Sequence, residues 1–90
     1  MIELTSKYIH QGDLLGSDGE NFIVALSEQE VYSLDAAAYY IWSLCNGENT
    51  VGDIIKNVSS NFNLKESEIE NPIKEIIRAL LEAKLIKEVQ

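Results

Sequence analysis

The hydrophobic period of this chain changes at Asp35, and that change constrains the fold more than any other feature. Before it, Phe22, Val24 and Leu26 alternate with Ile23 and Ala25 at the two-residue period of a strand. After it, apolar residues recur at helical spacing to the end. Asp18-Gly19 stands just ahead of the alternating run, and Asp-Gly is a strong hairpin signal. It predicts a turn joining a strand from about His10 to Ser17 to a strand from Asn21 to Leu26. A polar turn, Ser27-Glu28-Gln29, leads to a third strand over Glu30–Leu34. Tyr32 and Leu34 share the core face of that strand, and Val31 and Ser33 point the other way.

Three helices follow. Asp35 caps the first, which runs to about Cys45 with Ala37, Ile41, Leu44 and Cys45 on one face. Asn46-Gly47 stops it. Thr50 and Asp53 have the spacing of a capping box ahead of a second helix striped by Val51, Ile54, Ile55, Val58 and Phe62. The third stripe is Ile69, Ile73, Ile76, Ile77, Leu80 and Leu81. Pro72 allows two starts for this helix: at Pro72 itself with Asn71 as cap, or near Glu66 with Pro72 in the first turn. The expectation is a short turn over 66–70 and a main helix from Pro72 to about Lys84. Leu85, Ile86 and Val89 then close the chain against the core. Strands followed by helices make an α+β domain, a three-stranded antiparallel sheet with three helices in a winged helix-turn-helix-like arrangement. At 90 residues, 1–90 reads as one domain.

Charge and composition narrow the function. Seven basic against fifteen acidic residues give a formal charge of −8. Nucleic-acid affinity rests largely on Lys and Arg contacts to phosphate, so this balance argues against it. No apolar run is long enough to span a bilayer, and no signal-peptide pattern opens the chain. Cytoplasmic residence is the default expectation. Catalysis has little to draw on. His10 is the one histidine, on a predicted strand, and Cys45 the one cysteine, in an apolar stripe where a small hydrophobe fits. Nothing supplies a third group to orient a Cys–His pair. One His and one Cys make no structural zinc site, and Asp13, Asp18 and Glu20 lack calcium-loop spacing. No catalytic residue, metal or cofactor is expected. Tyr32, Tyr39, Tyr40 and Trp42 concentrate aromatic surface that suits a core or a partner-binding face.

The third strand is informative for what it lacks. Edge strands are usually blunted with Lys, Pro or a bulge. Glu30-Val31-Tyr32-Ser33-Leu34 contains no Lys, Pro or Gly. From the residues alone two readings stand. Either the edge is a template for an incoming peptide strand, or Glu30 suffices to protect a short edge.

The order of these elements resembles the PqqD-like proteins, also called precursor-peptide recognition elements of ribosomally synthesised, modified peptides. The resemblance runs from about Leu14 to Ile86. Its parts are Gly19, the apolar strand Phe22 to Leu26, Tyr32 and Leu34, Ala37 and Ala38, and Ile41-Trp42 with Leu44. Gly47, Thr50-Val51, Ile54, then Ile73, Ile77, Leu80, Leu81 and Leu85-Ile86 complete it. Asp35, Asn46-Gly47, Asn71-Pro72 and Lys84 depart from it: Lys84 stands where Gly is common. The resemblance implies a non-catalytic domain that binds the leader segment of a precursor peptide as an added strand beside Glu30, Val31, Tyr32, Ser33 and Leu34. The leader would face the third helix, with Ile73, Ile77, Leu80 and Leu81 as apolar walls. Lys74, Arg78 and Lys84 would meet acidic leader residues. Implied partners are a radical SAM maturase or a leader peptidase, with the domain a monomer or a homodimer. The competing readings are a winged-helix DNA-binding protein and a structural subunit that docks on an enzyme.

Overall fold

The structure, a computed structural model, describes residues 2–89. Its strands are β1 (Lys7–His10), β2 (Asp13–Ser17), β3 (Phe22–Ala25), β4 (Val31–Leu34), β5 (Asn46–Thr50) and β6 (Ile86–Val89). Its helices are α1 (Ala36–Leu44), α2 (Val51–Phe62) and α3 (Glu66–Glu82). The α+β class is as expected, with two sheets in place of one. The meander forms the antiparallel order β2-β3-β4, and a second antiparallel sheet has the order β5-β1-β6.

The first predicted strand, His10 to Ser17, does not run unbroken. It divides at Gln11-Gly12, and the two halves belong to different sheets. Gly12 makes the break possible. Its φ is +94°, and a Cβ there would lie 2.9 Å from the Ala25 carbonyl oxygen, closer than any side chain tolerates. The meander itself follows the alternation. Val24, Tyr32 and Leu34 face inward, while Val31 and Ser33 are exposed.

The helices begin where their caps stand. Asp35 Oδ1 accepts from the Ala38 amide at 2.8 Å. Thr50 and Asp53 exchange the two hydrogen bonds of a capping box, each 3.0 Å. Bonds from the Thr50 amide and then the Thr50 hydroxyl to the Asp53 carboxylate hold that carboxyl below its ordinary range. On α1 the inward residues are Ile41 and Trp42, followed by Cys45, and Ala37 is exposed rather than on the core face.

The third helix corrects the expectation of a turn over 66–70. α3 is continuous from Glu66 with Pro72 inside it. Pro72 has no amide to give the Glu68 carbonyl, so one helical bond is lost. Ile69 and Ile73, packed on or within the core to either side, hold the helix through that gap. The helix also stops at Glu82, short of Lys84. After it, Leu85 and Ile86 are buried but Val89 is exposed, so only the first two close the core.

One core unites both sheets and all three helices. It includes Tyr8 of β1, Val24 of β3, Ile54 of α2, Ile77 of α3 and Ile86 of β6.

Candidate functional site

Within the meander β4 pairs with β3 alone, so its other side has no strand among the described residues. The register is Phe22 with Leu34, Ile23 with Ser33, Val24 with Tyr32 and Ala25 with Val31. The Leu26 amide donates to the Glu30 carbonyl at 2.8 Å, which makes that facing pair a hydrogen-bonded one. Antiparallel pairs alternate between bonded and non-bonded. Tyr32 and Leu34 therefore bond inward to β3, and the N–H and C=O groups of Val31 and Ser33 point away from the sheet.

An apolar groove of about 550 Å³ opens where β4 runs into α1. Phe22 forms its floor at the end of β3 that pairs with Leu34. Its ring stacks on Tyr39 with centroids 4.0 Å apart and planes 10° apart. From α1 come Ala36, Ala37, Tyr40 and Ile41, and from α2 Val58 and Phe62. The far wall is Ile69, Pro72, Ile73 and Ile76 of α3, the i, i+3, i+4, i+7 stripe of one helix face. The Tyr40 hydroxyl donates to Asn57 Oδ1 at 2.6 Å and accepts from Asn61 Nδ2 at 2.9 Å. That network ties α1 to α2 at the groove and leaves the Tyr40 ring edge-on to Phe62, 5.4 Å between centroids. Phe62 is 56% exposed although it closes the apolar stripe of α2.

The residues with chemical potential are used structurally. Burial pushes the Cys45 thiol up to about 12, far from a thiolate nucleophile at neutral pH. The His10 ring lies against Trp42, with centroids 4.8 Å apart. His10 Nδ1 bonds the Cys45 carbonyl at 2.9 Å, which places a proton on that nitrogen. Among the described residues no group of three His, Cys, Asp or Glu side chains comes together to hold a metal ion. No described helix is long and apolar enough to cross a membrane.

A family model described as coenzyme PQQ synthesis protein D (PqqD) matches residues 20–86. The chain belongs to the PqqD family. No curated protein and no solved structure gives a significant match. The PqqD match begins in the turn before β3 and ends at the first residue of β6, so it holds both the β4 edge and every wall of the groove. β1 and β2 precede it.

The residues assigned to the PqqD site by resemblance fall in three places. Val31, Tyr32, Ser33 and Leu34 form the free edge, with Glu30 entering it. Ile73 alone of the α3 set lines the groove. Ile77 and Leu80 are buried in the core, and Leu81 is half-buried against it. Lys74 is paired with Glu70 at 2.9 Å and Arg78 with Glu75 at 3.0 Å, while Lys84 sits beyond the end of α3. Phe22, Phe62, Pro72 and Ile76 stand outside the site expected from sequence, and Tyr39 and Tyr40 enter it only as part of an aromatic concentration suited to a core or a partner-binding face. The signals available were the aromatic concentration on α1 and the large apolar residue placed last on α2.

Proposed function

We propose that this chain is a non-catalytic peptide-binding protein. It takes the leader segment of a ribosomally synthesised precursor as an added strand along Val31–Leu34. It then holds the precursor for a modifying enzyme, either a radical SAM maturase or a leader peptidase, in the cytoplasm. The observation that carries this reading is the free β4 edge, with Val31 and Ser33 aimed outward beside an apolar groove. Backbone bonds supply affinity that is independent of sequence, and the groove supplies selection of side chains. An added strand turns alternate side chains toward the helices. Those nearest Leu34 reach the groove between α1 and α3. The catalytic gain is one of effective concentration: a tethered core peptide meets the enzyme at a local concentration near the millimolar range.

The DNA-binding alternative fares poorly on α3. That helix carries Glu66, Glu68, Glu70, Glu75 and Glu82 against Lys74 and Arg78, and both cations are paired with its own carboxylates. Amide chemical-shift mapping with a leader peptide tests the proposal. Perturbations are expected at Glu30 to Leu34, at Tyr39 and Tyr40, and along α3 from Ile69 to Ile76. Perturbations confined to the exposed face of α2 around Lys56 and Ser60 would overturn it.

A further inference from the structure

The charge around the groove names the chemistry of the occupant. Pro72 lines the groove, and its neighbours on the helix surface at i−4 and i+3 are Glu68 and Glu75. Both are exposed. Asp35, also exposed, immediately precedes the lining residues Ala36 and Ala37, and Glu30 stands at the other end of β4. The cations near this rim are Lys65 at the start of α3 and Arg78, the latter already bonded to Glu75. Lys74 lies around the helix from Pro72 and is held by Glu70. Four carboxylates thus border the edge and groove against two cations, on a protein whose formal charge is −8.

We propose that the segment recognised is cationic: an extended peptide whose alternate apolar side chains enter the groove and whose neighbouring Lys or Arg side chains meet Glu68 and Glu75, and Glu30 and Asp35. The inference rests on the strand-addition reading above and specifies its ligand. The exposed Glu75–Arg78 pair is weakly held, so a peptide cation can exchange with Arg78 there. Rim charges act mainly through encounter rate and salt dependence, and an acidic rim speeds a basic peptide and repels an acidic one. Each exposed pair changes affinity by only a few-fold. Two or more together are expected to give about tenfold.

The test uses three synthetic peptides of about ten residues, enough for a strand with flanks. All carry two leucines two residues apart, and the flanking positions are Lys, Ser or Glu. Affinity is measured by fluorescence anisotropy at about 50 and about 300 mM salt, spanning strong and weak screening, and the binding site is mapped by amide shifts. The expected result is Lys tighter than Ser, Ser tighter than Glu, with about tenfold between the extremes at low salt and less at high salt. The double substitution Glu68→Gln and Glu75→Gln is expected to narrow the Lys-over-Glu preference to a few-fold. Binding at β4 with equal affinities, or with Glu preferred, overturns the cationic ligand and leaves strand addition standing. A preference undiminished in the double variant overturns the assignment to this rim. Failure of every peptide to perturb β4 overturns strand addition and this inference together.

Discussion

The Trp42 indole N–H donates to the Leu85 carbonyl at 3.0 Å, joining α1 to the segment after α3 across 43 residues of chain. The same N–H lies 3.2 Å from the Gln11 carbonyl, and the Gln11 amide donates to the Leu85 carbonyl at 2.7 Å. The indole thus ties α1 to the end of the β1–β6 ladder, where Gln11 and Leu85 continue the register of His10 with Ile86. Trp42→Phe keeps an aromatic ring but removes the donor and part of the buried volume. Leu85 keeps its bond from Gln11, while the Gln11 carbonyl loses the donor that the indole supplied. The expected cost is about 1–3 kcal/mol, from the donor shared by two carbonyls and a small cavity. Urea denaturation followed by circular dichroism should show a lower midpoint with an unchanged m value.

α3 ends in a Schellman motif. The Leu85 amide donates to the Leu80 carbonyl at 2.9 Å and the Lys84 amide to the Leu81 carbonyl at 3.0 Å. The motif requires a left-handed residue at Lys84, and its φ is +64°. Glycine would take this conformation without the Cβ penalty that a lysine meets. The left-handed backbone costs a non-glycine residue about 1–2 kcal/mol, while glycine gives back about 0.5–1 kcal/mol in unfolded-state entropy. Lys84→Gly is therefore expected to stabilise the protein by about 0.5–1 kcal/mol. Thermal unfolding should show a higher midpoint. A lower one would mean that the lysine side chain contributes more than its backbone costs.

Cys45 is fully buried and its thiol is pushed up to about 12 by desolvation. A raised folded value means that the unfolded chain gives up its thiol proton first. Between about 9 and about 12 the unfolded state is favoured as pH rises, so stability falls through that window and is untouched below it. The native thiol should resist alkylation at pH 8 and react at the ordinary rate once urea unfolds the chain. Cys45→Ala should flatten the fall in stability above pH 9 relative to the parent.

The elements that depend on near neighbours were legible in the sequence. Asp18-Gly19, the alternation from Phe22, and the caps at Asp35 and Thr50 each act within a few residues, and each stands where expected. The second sheet was not legible because its pairings are distant. β5 is Asn46-Gly47-Glu48-Asn49-Thr50, a run of turn formers with little strand propensity. It is extended because β1, some forty residues earlier, bonds to it. β6 pairs Ile86 with His10 across most of the chain. Pro72 misled in the other direction: local chemistry argued for a helix start, and the apolar stripe on either side prevailed. The composition of β4 shows an edge without Lys, Pro or Gly but leaves its use open. The groove could not be read from sequence, because β3, all three helices and Leu64 each supply a part of it and only tertiary packing brings them together.

The last prediction separates the two faces of β4. Proline removes an amide donor, so its effect depends on which way that amide points. Tyr32 and Leu34 bond inward to Val24 and Phe22, and Tyr32→Pro breaks the ladder that holds the strand. It is expected to lower the unfolding midpoint sharply, in the manner of proline within a paired strand. Val31 and Ser33 point outward, where the N–H of each has no partner strand among the described residues. Their side chains are exposed as well, so no core packing is lost on substitution. Ser33→Pro should leave thermal stability within about 1 kcal/mol of the parent, as for changes away from buried features, yet abolish leader-peptide binding measured by anisotropy. Val31→Pro should behave alike, with a weaker effect if the added strand begins beyond it. Substitution by alanine at Ser33 is the control: the amide remains, and binding should be retained. Should Ser33→Pro stay folded and still bind at parental affinity, backbone pairing on this edge is not the mode of capture.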